Sequence, residues 1–170
     1  MSYYFGDLFW RQCVNRGTSR NLKPGGWVEI QDIFPQVLSD DNSIPPDYPI
    51  IKFYAMMKTA LCDKYGFDLR IMGHLPDLLE SVGFINVHRK VYHMPLGEWA
   101  RDAHLRLLGG YFREVLLDLI GAMAARPLLE AGYEKEELED MVRETTAAAS
   151  NRKIHAYLPI HFVWAQKPPA

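Results

Sequence analysis

The chain has 170 residues, room for one domain at the usual ~100–200 residues each. Apolar residues make up 48% and charged residues 24%, a globular balance that excludes disorder, collagen and coiled coil. With 19 basic against 21 acidic side chains the net charge is −2, so no basic excess is present to neutralise a phosphate backbone, and nucleic acid is not an expected partner.

In chain order, Met1 to Trp10 carries Asp7 and no basic n-region, and no apolar run approaches the ~20 residues that cross a bilayer. The expectation is an intracellular protein, cytoplasmic or nuclear, with no membrane association. Cys13 and Cys62 lie far apart outside any CxxC pair, so neither a disulfide framework nor a zinc site is expected. Residues Tyr3 to about Arg20 are weakly helical, with Gly17, Thr18 and Ser19 interrupting the pattern. Pro24, Gly25 and Gly26 predict a sharp turn into a short strand, Trp27 to Gln31. Asp32 to Pro46 holds Pro35, Pro45 and Pro46 among Asp40, Asp41, Asn42 and Ser43, a mobile loop in which no regular ladder is expected.

Asp47 is placed to cap a helix with Ile50, Tyr54, Met57 and Leu61 at helical spacing, ended by Gly66. A second helix has Pro76 in its first turn, Leu75, Leu78, Leu79 and Val82 as its stripe, and Gly83-Phe84 as a Schellman stop. Ile85 to Met94 reads as a strand whose Arg89 and Lys90 suit a sheet edge. A long helix from Asp102 to Pro127 has Leu105, Leu108, Phe112, Val115, Leu119 and Met123 on its predicted core face. The next helix has Glu134, Glu136 and Glu137 in its first turn and Arg152 and Lys153 beyond its last, matching the helix dipole. The final strand is predicted from Ile160 to Gln166, because Pro159 has no N–H to give a ladder. The class is therefore α/β or α+β, with three strands and about five helices.

Asn21-Leu22-Lys23-Pro24-Gly25-Gly26-Trp27-Val28-Glu29, followed by Gln31-Asp32, resembles the LKPGGxxE segment of class I S-adenosylmethionine-dependent methyltransferases, and within them the LaeA-like fungal branch. Leu78 to Phe84, His93 to Trp99 and Asn151 to Pro159 resemble later signatures of that branch, in the same order and at fitting spacing. The resemblance implies a partial Rossmann-like methyltransferase domain spanning 1–170. Its three strands would be the last three of seven, a parallel pair with the antiparallel last strand between them. It implies S-adenosylmethionine as cofactor and a small-molecule or protein methyl acceptor.

The chain departs from the family: no GxGxG follows any predicted strand, and an acid on a second strand for the ribose hydroxyls is missing too. Cys13 to Ser19 also looks unrelated to the family's run into the LKPGG turn. The expectation is a truncated or differently spliced product, with a non-catalytic binding module as the alternative. A homodimer or partner chain would cover the Trp27 to Gln31 strand edge.

Methyl transfer asks the protein for alignment and sometimes for a base. Asp32, expected just after the first strand, His155 and Tyr157 before the last, and Glu29 within the first are the candidates for an acceptor pocket. Histidine as a residue type titrates near neutrality and can take a proton. Glu29 could equally be held by Arg152 or Lys153. His88 and His93 fall on opposite faces of a strand and no HExxH occurs, so no metal site is expected; no GxSxG elbow occurs either.

Overall fold

A computed structural model describes residues 20–63 and 66–170. Its elements are β1 (Trp27–Ile33), α1 (Pro49–Lys58) continued by a π turn (Thr59–Asp63), a 3-10 turn (Ile71–Gly73), α2 (Leu75–Ser81), β2 (Ile85–Pro95), α3 (Ala103–Ala125), α4 (Pro127–Glu130), α5 (Lys135–Ala149) and β3 (Tyr157–Gln166). The class is mixed α/β. The sheet has the order β1-β3-β2, with β3 between its two predecessors and antiparallel to β1. The helix predicted from Tyr3 lies outside the described residues except at its end, where Arg20 and Asn21 are helical; Cys13 lies outside them too. The described residues form two compact units, one of residues 20–34, 66–92 and 160–170 and one of residues 35–63 and 93–159.

In the first unit, Pro24 and Gly25 occupy the middle of a turn closed by Gly26 N–H donating to the Lys23 carbonyl at 2.9 Å. Gly25 has φ +76°, the left-handed value this turn demands of its third residue, and glycine meets it without strain. Strand β1 follows at once and runs two residues past its predicted end at Gln31. Asp32 lies opposite His161 and Ile33 opposite Ile160, so Asp32 is within the strand and not in the loop after it. The extension follows from β3, whose ladder offers partners as far as the first residue after Pro159.

Side chains alternate across the sheet. Val28 and Ile30 of β1, Val87 of β2, and Val163 and Ala165 of β3 pack with Leu75, Leu78, Leu79 and Phe84 into one core. Helix α2 supplies that stripe as expected. It stops as expected too, with Phe84 N–H reaching the Leu79 carbonyl at 3.1 Å and Gly83 N–H the Glu80 carbonyl at 3.0 Å. Strand β2 is an edge strand, and its Arg89 and Lys90 are exposed.

In the second unit, α1 starts one residue later than a cap at Asp47 requires. Tyr48 holds the N-cap position with no side-chain cap, and Pro49 begins the helix, its missing N–H being one that would find no partner there in any case. The buried face is Ile50, Phe53, Met56 and Met57, with Tyr54 half-buried, and the last turn before residue 64 widens to a π turn.

Asp102 caps α3, its carboxylate accepting from Leu105 N–H at 2.9 Å. Asp102→Ala is expected to cost about 0.5–2 kcal/mol in a urea titration, whereas Asp102→Asn, which keeps the acceptor, should cost less.

The predicted core stripe of α3 needs correction. Gly109, Phe112, Leu116, Ile120 and Met123 are buried, while Leu105, Val115 and Leu119 are exposed and Leu108 is half-buried. Leucines, valine and isoleucine occupy most of the helix circumference, so helical spacing alone permitted either face; the face seen is selected by what packs on it, the Gly97 turn at Gly109 and the helices α4 and α5. Pro127 does not only stop α3: it begins the short helix α4. Helix α5 packs against α1 and α3.

Strand β3 begins at Tyr157, three residues earlier than predicted. Tyr157 and Leu38 exchange two backbone hydrogen bonds, at 2.9 and 3.0 Å, so the loop expected to carry no ladder forms one antiparallel bridge. The prediction about Pro159 holds for the β1 ladder, which starts at Ile160.

Candidate functional site

The segment 39–43 folds on itself because Ser, Asp and Ser alternate, each able to bond backbone two residues away. One oxygen of Asp41 accepts from Ser39 Oγ at 2.7 Å and from Ser43 N–H at 3.1 Å. Its other oxygen meets His155 Nδ1 at 2.5 Å, and His155 N–H donates to Ser43 Oγ at 2.8 Å. The hydroxyl and amide hydrogen bonds to Asp41 stabilise its charged form and hold its carboxyl well below the usual aspartate range.

Trp99 lies against the imidazole of His155, centroids 5.0 Å apart and planes 29° from parallel, and is itself tethered by Nε1–H to the Ala156 carbonyl at 2.8 Å. Two residues on, the buried Tyr157 donates its hydroxyl to Asp40 at 2.7 Å, which raises the phenol's pKa, and stacks on His93 at 4.3 Å. Two of the predicted residues, His155 and Tyr157, thus stand in one polar and aromatic cluster of the second unit. Asp40, Asp41, Trp99 and His93 complete it and were not among the pocket candidates read from the sequence. The alternation of Ser39, Asp41 and Ser43 hinted at a self-bonded loop, but nothing local pointed 114 residues on to His155.

The other two predicted residues belong to the first unit. Glu29 lies on the sheet face away from the α2 core, bonded to Gln31 Nε2 and lining a hollow of about 320 Å³ with Trp27, Val28 and Trp164. Its expected partner Arg152 is instead paired with Glu98. His88 stacks on Trp164 at 5.5 Å and on Trp27 at 6.5 Å, making this face aromatic. Asp32 accepts from the amide of Ile33, its neighbour, at 2.7 Å. Among the described residues no three of His, Cys, Asp and Glu gather as a metal site, and no helix is long and apolar enough to cross a membrane.

A nucleoside cofactor on an α/β sheet sits on a turn whose glycines let backbone approach it. Beyond β1 the chain continues Phe34-Pro35-Gln36-Val37, without glycine. Beyond β2 stands Gly97, whose N–H donates to the Gly109 carbonyl at 3.1 Å; a Cβ on Gly109 would run into the Gly97 carbonyl. That close approach is filled by the protein's own helix. The described residues do not make a cradle for S-adenosylmethionine.

No protein-family model matches the chain. Curated relatives do. The chain is 28% identical over 151 residues to methyltransferase cpsF of Aspergillus campestris, covering 87% of this chain and 52% of that protein. It is 29% identical over 151 residues to the secondary metabolism regulator LAE1 of Cochliobolus heterostrophus, covering 87% and 49%, and 28% identical over 162 residues to methyltransferase pytC of Aspergillus terreus, covering 93% and 47%. The chain is homologous to the LaeA-like fungal methyltransferases. It spans about half the length of these LaeA-like relatives.

Proposed function

We propose that this chain is the carboxyl-terminal portion of an S-adenosylmethionine-dependent methyltransferase of the LaeA-like group, a single partial domain that supplies the acceptor side and not the cofactor cradle. The observation that carries this reading is the similarity across most of the chain to half of each of several methyltransferases. The fold agrees with it. Contacts between β2 and β3 run in opposite order, Asn86 with Gln166 and His88 with Trp164, then Tyr92 with Phe162. That order supports β1 and β2 as the parallel pair flanking an antiparallel last strand.

In this reading the acceptor is a small molecule or a protein; His155 and Tyr157 are its pocket candidates in the second unit, and Glu29 and Asp32 are the candidates in the first. The protein works in the cytoplasm or nucleus.

A second reading, a non-catalytic module acting through a partner, is favoured by the missing glycine cradle and by β1, which among the described residues pairs with β3 alone. A second chain or a second copy would then cover the Trp27 to Gln31 edge. Calorimetric titration with S-adenosylmethionine tests both. The chain alone is expected to give no saturable heat, and a chimera that joins it to the remaining half of methyltransferase cpsF is expected to bind one equivalent. A silent, folded chimera favours the module; one-to-one binding by the chain alone overturns the partial-domain reading.

A further inference from the structure

We propose that Asp41 and His155 are a proton-abstracting pair, and that the acceptor they serve carries an ionisable hydroxyl on a phenolic or enolic ring. The inference rests on the methyltransferase reading for the fate of the acceptor and on geometry for everything else. A base needs a free lone pair, a fixed direction and access. Asp41 accepts a hydrogen bond from Nδ1 at 2.5 Å, which places the neutral ring's proton on that nitrogen and leaves the lone pair on Nε2. Asp41 cannot swing away, because Ser39 and Ser43 hold its other oxygen.

His155 is pinned at its backbone by Ser43 and across its ring by the tethered Trp99. Among the described residues Nε2 has no hydrogen-bond partner, and the side chain is 42% exposed, so an incoming hydroxyl can reach it. The other titratable groups of the cluster are Asp40, Tyr157 and His93. Tyr157 has given its proton to a hydrogen bond with Asp40 and competes for no acceptor proton.

The step balances without a further reactant. The acceptor's O–H bond breaks, a new N–H bond forms at Nε2, and the electron pair stays on oxygen as phenolate or enolate, while Asp41 stabilises the imidazolium. Full proton transfer to an imidazole comes far closer to balance for phenols, which ionise near pH ~10 as tyrosine does, than for the much less acidic alkyl alcohols, which an imidazole activates only in concert with bond formation. The stacked pairs Trp99 with His155 and His93 with Tyr157 present aromatic surface against which a planar acceptor lies.

The test uses the full chain and no cofactor. Nitrogen-15 NMR of the imidazole, assigned with His155→Gln, is expected to show the neutral ring protonated at Nδ1, and Asp41→Asn to move the proton to Nε2. In parallel, excess protein is added to 4-nitrophenol, or to a peptide carrying 3-nitrotyrosine, at a pH below the probe's own ionisation. The absorbance of the phenolate should rise about threefold or more with the native chain and not with His155→Gln or Asp41→Asn. A rise with nitrophenol alone assigns a small-molecule acceptor, and a rise with the peptide a tyrosyl one. A native ring protonated at Nε2, or no phenolate gain with either probe, whether or not it binds, overturns the pair. Circular dichroism establishes that the variants fold. Failure here with a cofactor-binding chimera leaves the methyltransferase reading standing, and success here with a silent chimera removes that reading alone.

Discussion

Leu79→Ala is expected to lower the free energy of unfolding by about 2–5 kcal/mol, the range for emptying a fully buried leucine site. Leu79 is 0% exposed and lies where α2 meets the sheet, in one cluster with Leu75, Leu78, Phe84, Val163 and Ala165. Its neighbours come from a helix and a strand that are both fixed by backbone hydrogen bonds, so they can close little of the gap, and the cavity cost adds to the lost transfer energy. The backbone bond from Phe84 to the Leu79 carbonyl survives the change, which isolates the packing effect. Leu107→Ala is the control: the same atoms leave a side chain that is 57% exposed, and the cost should stay within about 0.5 kcal/mol. Urea titrations with matching m-values would measure both. A Leu79→Ala cost under about 1 kcal/mol would mean that the core collapses around the site and that the packing described is not rigid.

Gly109→Val should be nearly as damaging, at about 1–3 kcal/mol or more, and for the opposite reason. A Cβ at Gly109 would meet the Gly97 carbonyl oxygen far inside contact distance, with the Gly97 carbonyl carbon at 3.0 Å and Pro95 Cβ at 3.1 Å behind it. These are backbone and ring atoms that cannot rotate away, so either α3 shifts or the turn at Gly97, at φ +90°, is displaced. The matched change Gly121→Ala is in the same helix with nothing within 4 Å of its new Cβ, and should stabilise by about 0.5–1 kcal/mol through helix propensity alone. Opposite signs in thermal or urea unfolding would establish that Gly109 is a packing glycine. Equal small effects would show that the Gly97 approach is not needed for stability.

Local chemistry was enough for the elements whose limits are set within a few residues. Lys23 to Gly26 encodes its turn because proline and glycine have restricted and unrestricted φ at the positions the turn requires. Leu75 to Phe84 encodes a helix and its stop because stripe, glycine and closing contact lie within ten residues. The edge character of Arg89 and Lys90 and the order of the three strands followed from charge placement and from the LaeA-like resemblance.

Tertiary structure decided what depends on partners distant in the chain. The exposed leucines of α3 are chemically equal to its buried ones, and the faces are distinguished by what packs on them, the Gly97 turn at Gly109 and the helices α4 and α5. β1 gained Asp32 and Ile33, and β3 gained Tyr157, because ladder partners were present at Ile160, His161 and Leu38. Histidine 155 could be named from its residue type alone, but its direction could not. A hydrogen bond depends on a few tenths of an ångström, and the oxygen that orients the ring arrives from Asp41, placed there by folding over a separation no local pattern records.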